Sequence, residues 1–188
     1  LTRLGEEQAR ETGKKLERAS VWSNKDTLGV YYSPWHRAAL TSELILKGIT
    51  KRINLYQEDP RLQEQNYSGK FGDFDHDRRD EIEKERHSYG KFWYRLDNGE
   101  NFSDVYNRIS NFWTDKRVGW MMFPDTRLDN LIIVCHGATA RVLKGYLIGS
   151  TVEQITKDRN PDNCEIIYLR YNKQTHEYSE EWEQEVER

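Results

Sequence analysis

The stretch Leu131-Ile132-Ile133-Val134-Cys135-His136-Gly137 sets an imidazole and a glycine directly behind an apolar run, and a helical segment, Ala138 to Leu147, follows. An α/β protein delivers a reactive side chain to the carboxyl edge of its sheet in this way. The backbone N–H groups of Gly137 and Ala138, at a helix start, suit an anion such as phosphate. Arg37 stands in the first turn of another helix, behind Ser33-Pro34. Its guanidinium fork matches two phosphate oxygens, a geometry that lysine cannot reproduce. The same region also spells Cys135-x5-Arg141, a pattern in which a thiolate attacks phosphorus, and Phe123-Pro124-Asp125 offers it an acid. That pattern has Val142 where a hydroxyl residue is usual, and it leaves Leu1–Ala9, Ser33–Thr41 and Arg61–Phe71 unexplained. Alternation along the strand turns Cys135 and His136 to opposite faces, which makes Cys135 a buried thiol. Asp73-x-Asp75-x-Asp77 mimics the start of a calcium loop, but Arg78 replaces the required glycine and Lys84 the bidentate glutamate. A solvated acidic loop, with no metal site and no cofactor, is the expectation.

The elements that must position these groups are readable from periodicity. Leu1 to Ala19 reads as a helix with Thr2 as its N-cap and with Ala9, Gly13 and Leu16 on one face. Leu28 to Tyr32 is a strand stopped by Ser33-Pro34, Trp35 to Lys47 a helix stopped by Gly48, and Ile53 to Tyr56 a second strand. Glu58 to Asp80 reads as a turn-rich surface excursion, followed by a charged helix, roughly Arg78 to His87, and an aromatic cluster, Tyr89 to Tyr94. Phe102 to Lys116 is a helix with Val105, Ile109 and Phe112 inward, and Glu100 and Asp104 serve its start. Leu131 to Cys135 is a strand; Glu165 to Tyr171 and His176 to Trp182 form a hairpin about Asn172-Lys173-Gln174. Alternating strands and helices predict a single-domain three-layer α/β/α sandwich with a mostly parallel sheet.

Composition excludes several classes. The chain has 188 residues, enough for one core, and a net charge of −3 with both signs interspersed, which gives no basic groove for nucleic acid. Six Trp and eleven Tyr supply bulk for packing. No apolar run approaches membrane-spanning length, so no membrane contact is expected. Cys135 and Cys164 are the only cysteines, too few for a disulfide framework, and a reducing, cytoplasmic setting follows as the default.

Four patterns occur in one order: Leu1-Thr2-Arg3-Leu4-Gly5-Glu6-Glu7-Gln8-Ala9; Ser33-Pro34-Trp35-His36-Arg37-Ala38-Ala39-Leu40-Thr41; Arg61-Leu62-Gln63-Glu64-Gln65-Asn66-Tyr67; and His136-Gly137 after a strand. Between the last two lies Gly99-Glu100-Asn101-Phe102-Ser103-Asp104-Val105, with Arg108 one turn on. This order resembles the histidine phosphatase superfamily, the phosphoglycerate mutase-like proteins; the aromatic cluster and the Gly-Glu segment look most like its broad-range acid phosphatase branch. The resemblance implies phosphomonoester hydrolysis through a phosphohistidine, without a metal, on a small phosphorylated substrate. It assigns Arg37 to phosphate clamping and His136, with Gly137, to holding the transferring phosphoryl group. It assigns Glu64 to protonating the leaving group, for which burial or a nearby anionic substrate must keep the carboxyl protonated. Ser68 is an extra residue relative to the resembled pattern, and the variable insertion, here roughly Gln65 to Phe92, is where the resemblance puts the substrate pocket.

The family's nucleophile sits in an Arg-His-Gly triplet on a first strand, and the 188 residues contain no such triplet. The expected arrangement is a first strand upstream of Leu1 in the intact protein, with these residues alone inactive. The alternatives are a pseudophosphatase acting as a binding module, a phosphoglycerate-type mutase and a Cys135-dependent phosphatase. Oligomeric state is not written in the sequence.

Overall fold

The computed structural model describes residues 1–19, 22–23, 26–68, 76–95, 98–123 and 128–181. Helix α1 spans Arg3–Arg18, strand β1 Leu28–Tyr32, helix α2 His36–Leu46 and strand β2 Ile53–Glu58. A 3-10 turn, Pro60–Leu62, leads on to α3 (His76–Tyr89) and α4 (Phe102–Met122). Then come β3 (Asn130–Val134), α5 (Gly137–Ile148), α6 (Val152–Lys157), β4 (Tyr168–Asn172) and β5 (Glu177–Glu181).

Strands β2, β1 and β3 form a parallel sheet in that order, with β1 in the middle. Its two faces feed two cores. Leu28, Tyr32, Ile132 and Val134 pack with Ala9 of α1 and with Ala38, Leu44 and Ile45 of α2. Tyr31, Leu131, Ile133 and Cys135 pack with Val105, Ile109 and Phe112 of α4, with Val142 of α5 and with Ile155 of α6. This is the expected three-layer sandwich. Strand alternation explains the split, and one irregularity adjusts it. The register slips between Leu28 and Gly29, so that Leu28 faces Ile53 while Gly29 faces Leu55. Asn54 is the residue passed over, and its side-chain oxygen accepts the Leu28 N–H at 3.0 Å. Leu55 thereby turns to the α4 side although Ile53 faces α2.

Helix α1 starts at its expected cap, with Thr2 Oγ1 accepting from the Gly5 N–H at 3.1 Å. It lies almost in contact with the end of α2: a Cβ built on Gly13 would stand 2.2 Å from the Ile45 carbonyl oxygen. Helix α4 begins with a capping box of Asn101 and Asp104 and runs past the expected end at Lys116 to Met122, carrying Trp120 onto Trp113 at 5.9 Å. Helix α5 ends at Gly149, whose φ of 73° is the left-handed cap.

One expectation needs correcting. Residues Glu165 to Ile167 are not strand; β4 starts at Tyr168, after a turn in which the Glu165 carboxylate is held by Arg159 and the Asp162 N–H. Among the described residues, β4 and β5 form the expected antiparallel hairpin, which stands apart from the parallel sheet. Helix α6 was not expected at all. Trp182, Pro124, Asp125, Phe71, Asp73 and Asp75, which carried parts of the readings above, lie outside the described residues, as do the side chains of His76 and Asp77.

Candidate active site

Because β1, β2 and β3 run parallel, their carboxyl ends share one edge, and each end hands the chain to a segment with a candidate group. Strand β1 leads through Ser33 and Trp35 to Arg37, β2 through Asp59 to Glu64, and β3 through Cys135 to His136. The Ser33 N–H donates to the Val134 carbonyl at 2.9 Å, which ties the first and third of these ends together. The Ser33 hydroxyl then lies 2.8 Å from His136 Nε2, and both residues are buried.

His136 is only 8% exposed. The Trp35 ring meets it edge-on at 5.1 Å, and the Arg37 guanidinium lies over the same indole at 4.2 Å. Burial first, then the charges of Arg37 and Arg108, push the imidazole down to about 4. A ring in that setting is neutral at physiological pH, with Ser33 fixing its orientation. Arg37 itself is exposed and its head is free of any carboxylate hydrogen bond among the described residues. The two residues on which the sequence reading leaned are therefore brought together, with Trp35 between them.

Trp35 and His136 are the N-cap residues of α2 and α5, and neither offers a side-chain cap to its helix. Two helix N-termini thus open on the same edge, and their partial positive charge adds to Arg37. Glu64 takes up part of that field. Its carboxylate accepts the Gln65 N–H at 2.9 Å and the Ala138 and Thr139 N–H groups at 3.4 Å each. The expectation that α5 donors stand open to phosphate therefore needs amending: Ala138 and Thr139 are occupied by Glu64, and Gly137 remains at the helix tip. Glu64 is half-buried and close to His136 in the fold, since both touch the first turn of α5.

The thiolate reading fails on geometry. Burial, then the Glu64 charge, push the Cys135 thiol up to about 12, so it holds its proton at neutral pH. Arg141 does not return to it. Its guanidinium donates to the Ile155 and Thr156 carbonyls at 2.8 Å and to Asn160 at 3.1 Å. The segment from Gly137 onward is helix rather than an anion-binding loop.

Sequence reasoning missed several participants. Ser33 and Trp35 stood inside a quoted pattern, yet only the fold shows the hydroxyl and indole on His136. Glu100 was read as serving a helix start; instead its carboxylate grips Arg108, with Oε1 accepting from Nε at 3.0 Å, while Asp104 does the capping. Ser68, the extra residue, has a φ of 70°, a costly backbone for a non-glycine residue, and its N–H donates to Asn66 Oδ1 at 3.0 Å. His36, between Trp35 and Arg37 in sequence, is exposed; His87 pairs with Glu83, and His176 contacts Tyr171.

Comparison with known proteins agrees with this architecture. The model of the histidine phosphatase superfamily, branch 1, matches residues 1–183. The phosphoglycerate mutase-like protein AT74H of Arabidopsis thaliana is 34% identical over 177 residues, 88% of this chain and 62% of that protein. The chain thus spans somewhat less than two thirds of that relative. The broad-range acid phosphatase DET1 of Saccharomyces cerevisiae is 26% identical over 127 residues, 65% of this chain and 36% of that protein. Among solved structures, the mycobacterial glucosyl-3-phosphoglycerate phosphatase in complex with inorganic phosphate aligns with a TM-score of 0.74 at 18% identity, covering 97% of this chain and 86% of its own.

Proposed function

The chain belongs to the histidine phosphatase superfamily, branch 1, and from that premise we propose that the intact protein hydrolyses small phosphomonoesters through a phosphohistidine. A histidine nitrogen attacks phosphorus, the ester P–O bond breaks, and Glu64 protonates the departing oxygen. Water then takes the phosphoryl group from the histidine. Arg37 and His136 hold the non-bridging oxygens throughout, with the Gly137 N–H beside them. No metal is needed, because the Arg37 guanidinium and two helix N-termini supply the positive field and the His136 ring supplies an N–H donor.

One observation carries this reading: a buried imidazole packed against Trp35, with the Arg37 guanidinium over the same indole, at an edge where two helices begin without capping side chains. When a phosphate dianion arrives, it offsets the charges that depress His136 and lets the ring donate to an oxygen.

The nucleophile belongs, on this reading, to an Arg-His-Gly strand preceding Leu1 in the intact polypeptide. Two features support a further strand. Among the described residues β3 pairs only with β1, which leaves its other edge open. A cavity of about 700 Å³ lies between Gln8 and Thr12 of α1 on one side and Arg141 and Lys144 of α5 on the other, with Tyr168 of β4 along its wall. These helices belong to opposite layers, so the space between them is the sheet's own layer. No helix among the described residues is long and apolar enough to cross a membrane, and both cysteines are free thiols.

The test is a rapid quench of full-length protein with labelled p-nitrophenyl phosphate in EDTA. The expected product is a phosphoenzyme that is labile in acid and stable in alkali. An acid-stable phosphoenzyme, or a requirement for added metal, overturns the reading. Transfer of the label to phosphoglycerate in preference to water identifies a mutase, and absence of turnover at any pH a binding module.

A further inference from the structure

Glu64 lies in a segment without regular structure, yet its carboxylate must meet the leaving oxygen to within a fraction of an ångström. What fixes it is a frame of polar contacts to two helices. The Thr139 hydroxyl, fully buried on α5, donates to the Gln63 carbonyl at 2.6 Å. On the α4 side, Glu100 holds the residues that follow Glu64. Its N–H donates to the Asn66 carbonyl at 2.6 Å, its carbonyl accepts from Gln65 Nε2 at 2.7 Å, and its carboxylate accepts the Asn66 N–H at 3.0 Å. The same carboxylate binds Arg108 through Nε at 3.0 Å and Nη2 at 3.3 Å, and Arg108 Nη1 reaches back to the Arg61 carbonyl. Both side chains of the pair are largely buried, 13% exposed for Arg108 and 19% for Glu100. The segment from Arg61 to Asn66 is thus held at both ends by one ion pair, and Glu64 stands between.

We propose that Glu100, braced by Arg108, is a positioning residue for Glu64: it sets the acid's distance from the transferring group without touching substrate. This rests on Glu64 being the acid of the proposed reaction. A salt bridge kept only for stability has no reason to spend a carboxylate oxygen and both backbone groups on the two residues after Glu64. A buried charged pair is also a poor source of net stability. What it supplies is geometry, with all three guanidinium nitrogens of Arg108 and both carboxylate oxygens of Glu100 engaged.

The positioning role predicts a particular kinetic pattern. When the P–O bond of an alkyl phosphate breaks, the electron pair stays on an oxygen that needs the Glu64 proton. The p-nitrophenolate ion leaves without one. In full-length Glu100→Gln, an NH2 group must face either the Asn66 N–H or the guanidinium, and the frame loosens. We expect kcat for an alkyl phosphate to fall about 10- to 100-fold, the scale of an ångström's misplacement. KM, and kcat for p-nitrophenyl phosphate, should stay within about twofold, since only the proton-dependent step is affected. Gln65→Met removes the Gln65–Glu100 tether at similar volume and should show the same split in smaller measure, which keeps the test open if Glu100→Gln does not fold. In a Glu64→Gln background, Glu100→Gln should add nothing further. Glu64→Gln alone is the reference. If it selects against alkyl phosphates while Glu100→Gln and Gln65→Met slow both substrates equally or neither, the positioning role is overturned and the acid stands. If Glu64→Gln itself shows no selectivity, the acid assignment fails and this inference goes with it.

Discussion

A buried histidine packed against a tryptophan, with two arginine charges acting on it, titrates in a way that reports on its surroundings. The neighbours facing His136 are Ser33 and Trp35, with the charges of Arg37 and Arg108 nearby. Its folded value, pushed down to about 4, lies below the ordinary imidazole range. The unfolded chain therefore takes up a proton that the folded chain refuses as pH falls from the ordinary histidine value toward 4. Stability falls through that window and rises as pH is restored. The loss is up to about 3 kcal/mol for this group alone, at the cost per pH unit that linkage sets. Urea titrations of the chain at pH 7 and pH 4.5 should show it, and His136→Asn should flatten the difference. An unchanged slope in the variant would mean that the ring is not held neutral. Cys135 gives a second check: Cys135→Ser in the full-length protein should retain hydrolysis, because a thiol pushed up to about 12 supplies no thiolate. At this scale the sequence was half-informative. His136 and Arg37 were legible because each follows a recognisable strand or helix signal. The Ser33 hydroxyl and the Glu100–Arg108 pair were not, because their partners lie 103 and 8 residues away and nothing local to either residue announces them.

The elements place these groups through contacts that small residues permit. Helices α1 and α2 approach so closely at Gly13 that a side chain there has nowhere to go, since its first carbon would fall 2.2 Å from the Ile45 carbonyl oxygen. Gly13→Val must push α1 away from α2 and disturb the Ala9, Leu28 and Ile45 core. We expect a loss of about 1–3 kcal/mol in chemical denaturation, the usual penalty for overfilling a packed contact. A variant as stable as the parent would show that the two helices separate without cost. Helices were the most legible elements, since Ala9, Val105, Ile109 and Phe112 recur at helical spacing and all are buried. The short α6 escaped notice although Thr151 and Gln154 form a capping box, because six residues carry too little periodicity to register. Glu165 to Ile167 looked like strand from apolar and β-branched content. The turn held by Arg159 and Glu165 wins there over that weak preference.

At the scale of the molecule, the fold turns three parallel strands into one chemical edge. The family was legible there for the same reason, from the order of several weak motifs rather than from any single one. Three of the four motifs follow a strand end, those of β1, β2 and β3, and a parallel sheet sends all such ends to the same side. The division of the strands was less legible. A parallel triplet and a separate hairpin depend on pairing across the chain, which alternation within a strand does not encode. The edge gathers Arg37, His136, Gly137 and Glu64 from segments up to 100 residues apart, and the account stands on their serving one phosphoryl group. The most direct measurement is steady-state hydrolysis of p-nitrophenyl phosphate by the full-length protein in EDTA, comparing the parent with His136→Ala and Arg37→Ala. The account predicts metal-independent turnover, with kcat/KM lowered about 100-fold or more in each variant, the usual scale for removing one donor to a developing charge. Turnover that survives both substitutions within about twofold would contradict it.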